Sequence, residues 1–575
     1  MDIDTIRTYF SMGYHKACIE AVLKAASCGL GRLESIEAWS LCALSYGGLG
    51  SYGEAIKCLK EALRLDSLEG GHNALSLSIN LAEFYRRSNK TLQAIALLRG
   101  LLPCKDANLH FNLARCYADL EDYEQSIEHY TQSLKLNPGD LEAIFNLANQ
   151  QAALGRLGMA LKYYALAYEG GKGDAGLNLA QIQVKLDELD PALRLYEELE
   201  PSYARDANFY FNYGNALRFA SQHKRALEAY TRALCLNEDL RYAVNLSHLL
   251  LSIGEIRRGF EFYEYRRGML DASSFNTQSP DRHFLDFGLR DRGAILSFIK
   301  DKKVLLYHEQ GFGDSLMFAR FIPLLKCKSK ILAMPGPLHR LFAGFGLPLV
   351  DRYDAADYEV ALPLPSLGFL LATSWNLKQS LGNLNSLLTK HLAKAPKFQC
   401  LATKDSKAGL KVGINFSSNP NFQYAREKSI YPRRLLEALP QEGVTYINLQ
   451  YEGMDTWLAA QYGVYDASGD IGDFYDSALL LRELDVVISI DSALAHLSAS
   501  LGVETLVLLH KRHDWRWGAI GDTKASPWYG DAKLFIQKTL GNWDWPLENL
   551  GAYLRAKLES RLPRLSRAGD YQGAR

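Results

Sequence analysis

Small side chains recur along the first half of the chain at nearly constant intervals. Ala43, Ala82, Ala114, Ala148, Ala180, Gly214 and Ser247 are spaced 39, 32, 34, 32, 34 and 33 residues apart. That is the period of a helical hairpin stacked on copies of itself, because a unit this short cannot bury its apolar face alone. Twelve positions after each comes a second small residue (Ala55, Ala94, Ser126, Ala160, Ala192, Ala226, Gly259), and four further on a large one (Leu59, Leu98, Tyr130, Tyr164, Tyr196, Tyr230, Tyr263). Small facing small predicts close approach of the two helices of a hairpin, and the large residue then fills the groove between neighbouring hairpins. Asn137-Pro138-Gly139-Asp140 reads as a turn between two of them.

Together with Tyr46, Tyr85 and Tyr117 on the first helices, this pattern resembles the tetratricopeptide repeat (TPR), in seven copies over about residues 36 to 268. A second periodicity lies inside it. Two residues before the small position of the first helix stand Asn80, Asn112, Asn146, Asn178, Asn212 and Asn245, in six successive repeats. Asparagine is a mediocre helix former, since its amide competes for the backbone, so helical propensity does not select it there. Lining the concave wall of a superhelix, these amides would form a ladder whose donors and acceptors match an extended peptide backbone. The alternative is structural, with the amides bridging adjacent hairpins. The same ladder is a feature of O-GlcNAc transferase, whose repeats these resemble, and that resemblance implies a protein acceptor held in the groove.

At 575 residues the chain exceeds what one core can support, and its 48% hydrophobic and 23% charged content is that of a folded globular protein. Lys plus Arg equal Asp plus Glu at 65 each, which offers no long-range attraction to nucleic acid or an acidic membrane. No apolar run reaches the length of a membrane span and the start has no signal-peptide pattern, so a cytoplasmic location is expected. The nine cysteines contain no C-x-x-C pair and are expected to be buried free thiols.

Beyond a serine-rich stretch, Asp271 to Asp281, the pattern changes to strand alternating with helix. Lys303-Val304-Leu305-Leu306-Tyr307 reads as a buried strand, His308-Glu309-Gln310-Gly311-Phe312-Gly313-Asp314 as a glycine turn, and Ser315 to Phe321 as a helix. Neither a dinucleotide fingerprint nor a P-loop fits, because Leu316 stands where a third glycine would be and no Gly-Lys-Ser/Thr follows. Further strands are expected at Ile331 to Met334 and Tyr358 to Leu362, then a polar linker at about Lys390 to Lys407. A second unit is expected from Lys411 to Phe416, Val444 to Gln450, Asp485 to Ile490 and Thr505 to Leu509.

Two such halves suggest a GT-B fold, with ligands outside the carboxyl ends of the strands. The glycine turn, Gly413-Ile414-Asn415 with Ser417-Ser418-Asn419-Pro420, Arg426 to Ile430, Asp473-Phe474, Asp491 to His496 and Asp514-Trp515-Arg516-Trp517 together resemble the bacterial TPR glycosyltransferases, whose catalytic half is similar to heptosyltransferases. Some proteins of that architecture modify flagellin on serine and threonine. This chain departs from the pattern at Asn415-Phe416, where the family commonly has glycine and a small residue. The expected layout is an α-solenoid (TPR superhelix, residues 1–270) followed by an α/β GT-B glycosyltransferase made of two Rossmann-like halves. These halves cover residues 271–395 and 396–550, with a tail at 551–575.

The resemblance implies that Asp314 is the general base that takes the acceptor hydroxyl proton; the alternative is a helix cap, a task that leaves a carboxylate less free. It also implies a donor-binding set of Gly311, Gly313, Asn415, Ser417, Asn419, Arg426, Lys428, Gln450, Asp473, Asp491, Ser492, Ala493, His496 and Trp515. Within that set the amides of Ser492 and Ala493, at a helix start, would face a nucleotide diphosphate. Asp491 would cap or hold a sugar hydroxyl, and His496 would point at the donor or into the core. Arg426 and Lys428 would neutralise phosphate or be ordinary solvated charge, and Trp515 and Trp517 would stack on or border the nucleotide, or pack. No D-x-D motif lies in the strand-and-helix half and no His/Cys cluster is apparent, so no metal or other cofactor is expected beyond a nucleotide-sugar substrate. The resulting expectation is an inverting transferase acting on a protein acceptor, with flagellin a plausible one. Two alternatives are a heptosyl-type transferase acting on a saccharide and a non-catalytic TPR adaptor.

Overall fold

The computed structural model describes residues 2–28, 31–269, 283, 285, 288, 290–373, 376–395, 409–419, 425–519 and 526–561. The serine-rich stretch expected at 271–281 lies outside them. So does most of the expected polar linker, although its first residues belong to the helix Leu377–Leu392. Two compact units divide the chain, Met1–Ser202 and Tyr203–Arg575.

The first unit is helical throughout its described residues. After helices Ile3–Ser11 and His15–Cys28 come five hairpins: Arg32–Gly48 with Tyr52–Leu68, Ala74–Arg87 with Thr91–Arg99, Ala107–Asp119 with Tyr123–Leu136, Leu141–Ala153 with Leu157–Glu169, and Asp174–Lys185 with Leu189–Leu199. The small residues expected to face each other are buried in every one of these hairpins. Their proximity is explicit in the third, where Ser126 Oγ donates to the carbonyl of Ala114 at 2.8 Å. Asp106 and Asp140 start the third and fourth hairpins by accepting first-turn amides, which satisfies donors that have no partner within the helix.

The second unit opens with two more hairpins, Ala207–Phe219 with His223–Leu236 and Leu240–Ser252 with Ile256–Tyr263. Gly214 lets the Tyr230 ring seat itself, since a Cβ there would meet Tyr230 Cδ1 at 2.8 Å. One feature common to both units is not evident from composition. The seventh residue after each first-helix small residue, namely Gly50, Asn89, Glu121, Gly155, Asp187, Ser221 and Gly254, has φ between 58° and 86°. This is the left-handed residue that ends the first helix of each hairpin, and only three of the seven are glycine.

Two parallel sheets follow. The first takes β1 (Lys303–Tyr307), β2 (Ser329–Ala333), β3 (Leu349–Val350) and β4 (Val360–Pro363) in the order β3-β2-β1-β4. The second takes β5 (Leu410–Asn415), β6 (Val444–Asn448), β7 (Tyr465–Asp466), β8 (Val486–Ile490), β9 (Glu504–Leu509) and β10 (Lys533–Ile536) in the order β10-β9-β8-β5-β6-β7. Their strands read as continuous apolar runs because both faces are covered. On β8, Val486, Ile488 and Ile490 enter one core and Val487 the other; on β1, Val304 and Leu306 part from Leu305 and Tyr307 in the same way. One of these cores joins Leu251, Ile256, Phe260 and Tyr263 of the last hairpin to side chains of both sheets. The last repeat and the sheets therefore share one interior.

Seven cysteines fall where their side chains are described, and all are free. Cys18, Cys42, Cys58 and Cys116 are buried as expected, but Cys235 is exposed and Cys104 and Cys327 only half-buried. Cys235 lies in the last turn of the helix His223–Leu236, where Leu236 and Asn237 are exposed as well. No helix among the described residues is long and apolar enough to cross a membrane.

Candidate functional site

Because each sheet is parallel, the segments that follow its strands emerge along one edge. The turn after β1 and the loop after β9 meet there. Arg516 Nε donates to Asp314 Oδ1 at 3.0 Å, and its Nη2 reaches the same oxygen. Asp314 is buried in the first turn of the helix Phe312–Phe318, where its Oδ2 also accepts the Gly311 N–H at 3.2 Å. The carboxylate thus does cap its own helix, and it is an ion-pair partner besides.

Arg516 is held on several sides. Its Nη1 donates to Asp514 Oδ1 at 2.7 Å, and its Nη2 lies 3.3 Å from Gln310 Oε1 and 3.4 Å from the Tyr263 hydroxyl. Burial opposes its charge, but the Asp314 and Asp514 carboxylates outweigh that and hold its pKa well above the ordinary arginine value. Gln310 reaches this position from a left-handed backbone, φ 67°, which is uncommon for a residue with a side chain and concentrates at functional sites.

Gly313 serves contact rather than turn geometry. A Cβ there would lie 2.9 Å from His496 Cδ2, so glycine lets the helix Phe312–Phe318 press against the helix Ala493–Ser500. His496 is buried, its Nδ1 lies 3.0 Å from the Tyr529 hydroxyl, and its ring stacks on Trp517 with centroids 4.9 Å apart. Burial lowers its pKa to about 4, so it is a neutral ring in the core of the junction.

Asp491 precedes that helix and is fixed at both oxygens, accepting Lys428 Nζ at 2.6 Å and Trp517 Nε1 at 2.7 Å. Burial alone would raise its pKa, but Lys428 prevails and lowers it. Ser492 caps the helix, and Asn415, at the end of β5, donates its amide to Ser489 Oγ at 2.9 Å and to Ser492 Oγ at 2.8 Å. Asn415 is therefore a brace between β5, β8 and the helix start. Ala493 lies beside Gly313 and completes the contact.

The remaining donor-set residues divide. Gln450 Nε2 reaches the Ser417 hydroxyl and lies 3.3 Å from its carbonyl oxygen, which joins the ends of β5 and β6. Asn419 and Arg426 are exposed. Arg426 makes no hydrogen bond or ion pair among the described residues, whereas Lys428 is committed to Asp491. Asp473 is an N-cap, accepting the amides of Tyr475 at 2.8 Å and Asp476 at 3.1 Å, and it also receives Arg340 Nη1 at 3.2 Å. Trp515 is not at an open edge: it packs among His248, Phe260, Tyr263 and Trp528.

Sequence reasoning gave no role to Arg516 or Arg340 and read Tyr263 as filler between repeats; Trp517, expected with Trp515 to border the nucleotide or pack, is buried against His496 and bonded to Asp491. For Arg516 a signal was present in the motif Asp514-Trp515-Arg516-Trp517, where an arginine stands between two aromatics. A second ion network ties the end of the last repeat to the turn after β1: buried Arg266 donates to Glu309 Oε1 at 2.7 Å, Glu264 Oε1 at 2.8 Å and Ser366 Oγ at 3.0 Å. Among the described residues no three His, Cys, Asp or Glu side chains converge as metal ligands.

All six ladder asparagines are half-buried. In the first unit, Asn80 and Asn146 have no hydrogen-bond partner among the described residues; Asn112 donates to its own helix at Asn108 O (2.9 Å), and Asn178 approaches Asn149 Oδ1 at 3.4 Å. In the second, Asn212 has no partner among the described residues and Asn245 donates to Arg241 O at 2.9 Å. Asn178 thus reaches the preceding hairpin, as the structural alternative expects, and two asparagines outside the ladder also bond structurally: Asn149 accepts Tyr164 OH at 2.6 Å and Asn215 accepts Tyr230 OH at 2.7 Å.

Sequence profiles of the tetratricopeptide repeat match residues 36–67 and 107–140. Protein FlbA of Caulobacter vibrioides is 24% identical over 530 residues, which span 86% of this chain and 73% of that protein. Among solved structures, the TPR protein YrrB, described as having an unusual peptide-binding site, aligns over 31% of this chain and 95% of its own, with 18% identity and a TM-score of 0.29. A tetratricopeptide repeat protein from Parabacteroides merdae aligns over 42% and 95%, with 20% identity and a TM-score of 0.33. The amino-terminal region of this chain is built from tetratricopeptide repeats.

Proposed function

We propose that the chain is an inverting, metal-independent glycosyltransferase that moves a sugar from a nucleotide donor to serine or threonine hydroxyls of a protein. In this reading the two parallel sheets, residues 271–395 and 396–550, are the halves of a GT-B fold. The observation that carries it is the meeting of the two carboxyl edges at Asp314 and Arg516, beside the start of the helix Ala493–Ser500. A carboxylate from one sheet there stands next to cations and helix amides from the other, which suits a base on one side and a departing diphosphate on the other.

Asp314 already accepts three hydrogen bonds. Each carboxylate oxygen has two lone-pair directions, so one remains for an incoming hydroxyl. Arg426, exposed and without an ion-pair partner among the described residues, is the cation free to meet phosphate. The half-buried asparagines with idle amides support a protein acceptor gripped by its backbone over a saccharide acceptor. On the resemblance stated above, flagellin is the acceptor to try first, in the cytoplasm.

Asp314→Asn is expected to fold and bind donor yet lose transfer by about 10²-fold to 10⁴-fold, the share of general-base catalysis. Near-normal transfer by the folded variant would remove Asp314 from the mechanism. Transfer is expected to continue in EDTA, and dependence on an added divalent ion would overturn metal independence.

A further inference from the structure

The groove-filling tyrosine of the seventh repeat is hydrogen-bonded differently from those of the fourth and sixth. In the fourth and sixth repeats the groove-filling tyrosine gives its hydroxyl to an asparagine fifteen residues earlier, Tyr164 to Asn149 and Tyr230 to Asn215. Fifteen residues before Tyr263 stands His248. The His248 ring packs against Tyr263 and Trp515, with centroids 5.9 and 6.2 Å away, and offers the tyrosine no hydrogen bond. The Tyr263 hydroxyl turns out of the repeat instead. It donates to Gln310 Oε1 at 3.1 Å and accepts from Arg516 Nη2 at 3.4 Å.

We infer that Tyr263 is a positioning residue: it has been released from its repeat to hold Arg516 and Gln310, and through them to orient Asp314. The inference rests on the glycosyltransferase reading and adds to it that the last repeat is part of the catalytic apparatus.

The geometry favours positioning over packing alone. Tyr263 is 1% exposed, so its hydroxyl must find partners in the interior, and they are Arg516, which pairs with Asp314, and Gln310, which bonds that same arginine. Gln310 Oε1 also accepts from Arg516 Nη2, which closes a three-membered ring of polar atoms on the guanidinium. A planar guanidinium with Nη1 on Asp514, Nε on Asp314 and Nη2 on this ring has one orientation available. Arg266 sits over the tyrosine ring, its guanidinium carbon 4.7 Å from the ring centroid, and restrains the ring plane. The hydroxyl itself stays protonated, because burial raises its pKa to about 12.

The test compares Tyr263→Phe with Tyr164→Phe and Tyr230→Phe in the full chain, each checked by circular dichroism and thermal unfolding. All three remove one buried hydroxyl, so a purely structural role would move them together. Transfer kinetics are expected to show kcat reduced roughly 10-fold to 100-fold in Tyr263→Phe alone, the scale of a small misplacement of a reacting group, with donor and acceptor KM within about twofold. Wild-type kcat in Tyr263→Phe, or equal losses in all three, would overturn the inference. A crystal structure of Tyr263→Phe reads the same point without turnover. Arg516 is expected to lose its two-bond pairing with Asp314, and an unchanged pairing would overturn the inference. A wild-type chain that transfers no sugar from any donor would instead refute the glycosyltransferase reading, leaving the crystallographic comparison to decide the role of Tyr263.

Discussion

Lys428 Nζ donates to Asp491 Oδ2 at 2.6 Å, so one of the two cations assigned to donor phosphate by its sequence context is neutralised inside the fold. The pair is largely desolvated, with Lys428 25% and Asp491 9% exposed at the side chain. Its net worth is therefore modest, while the penalty for breaking it on one side is large.

Lys428→Met is accordingly expected to destabilise the second unit by about 3 kcal/mol, because it leaves a buried carboxylate with only the Trp517 indole. The double variant with Asp491→Asn should recover a good part of that loss. Urea unfolding of the four chains gives the coupling directly, and additive losses would mean that the pair does not interact.

The left-handed hairpin residues make a prediction of opposite sign at neighbouring repeats. Glu121 has φ 59° and Gly155 φ 71° at equivalent positions. A side chain in this region costs about 1 kcal/mol relative to glycine. Glu121→Gly is expected to raise the unfolding midpoint and Gly155→Ala to lower it. Equal and opposite shifts of a few degrees by differential scanning calorimetry are the expected result; a loss from both would reject the backbone argument.

The two asparagine sets should separate by measurement. Asn149→Ala deprives the Tyr164 hydroxyl of its acceptor and is expected to cost about 1 to 2 kcal/mol. Asn80→Ala and Asn146→Ala remove amides that bond nothing among the described residues, and alanine's better helix propensity should leave stability equal or slightly higher. The ladder pair should instead weaken acceptor binding, by about 0.5 to 1.5 kcal/mol per amide, with donor affinity unchanged. Unaltered acceptor affinity would return the saccharide reading to first place.

Acid should weaken the fold through its buried histidines. His496 and His510 are buried and their pKa values are pushed down to about 4 by desolvation, against about 6.5 in the unfolded chain. Between those values the unfolded state binds more protons, so stability falls as pH falls from about 6.5 to 4, by up to about 1.4 kcal/mol per unit for each ring. Asp491, whose pKa lies below its ordinary 3.8, adds its loss only at still lower pH. Urea midpoints at pH 7, 6 and 5 should decline steadily, and His496→Gln should flatten the slope; a flat wild-type profile would contradict the buried neutral state.

Much of the architecture was legible because it is periodic. A recurrence of small residues at Ala43 through Ser247 can mean only repeated close contacts, and the hairpins place each of them in the interior. Apolar runs such as Val486 to Ile490 mark strands covered on both faces, so their existence was readable while their exact ends were not: the strand expected at Ile331 to Met334 spans Ser329–Ala333. The short β3 and β7, two residues each, carry no pattern to read. The left-handed turn residues were likewise hidden, since Glu121 and Ser221 do not announce a positive φ; the stacking of hairpins imposes it.

At the candidate site, sequence identified chemical types and tertiary structure chose their partners. Asp314, Lys428, Asp491 and His496 were visible as groups able to carry chemistry, but a charge in a sequence does not say whether it faces solvent, ligand or another charge. That depends on contacts between residues 202 positions apart, as for Asp314 and Arg516, or 63 apart, as for Lys428 and Asp491. The sequence by itself determined a repeat array followed by parallel strands, because periodicity and apolar runs are local properties of the chain. Only the tertiary structure decided that Tyr263 leaves its repeat for the site, that Trp515 is core and that Gly313 makes room for His496, because each depends on which side chains the packing of distant elements brings within a few ångströms.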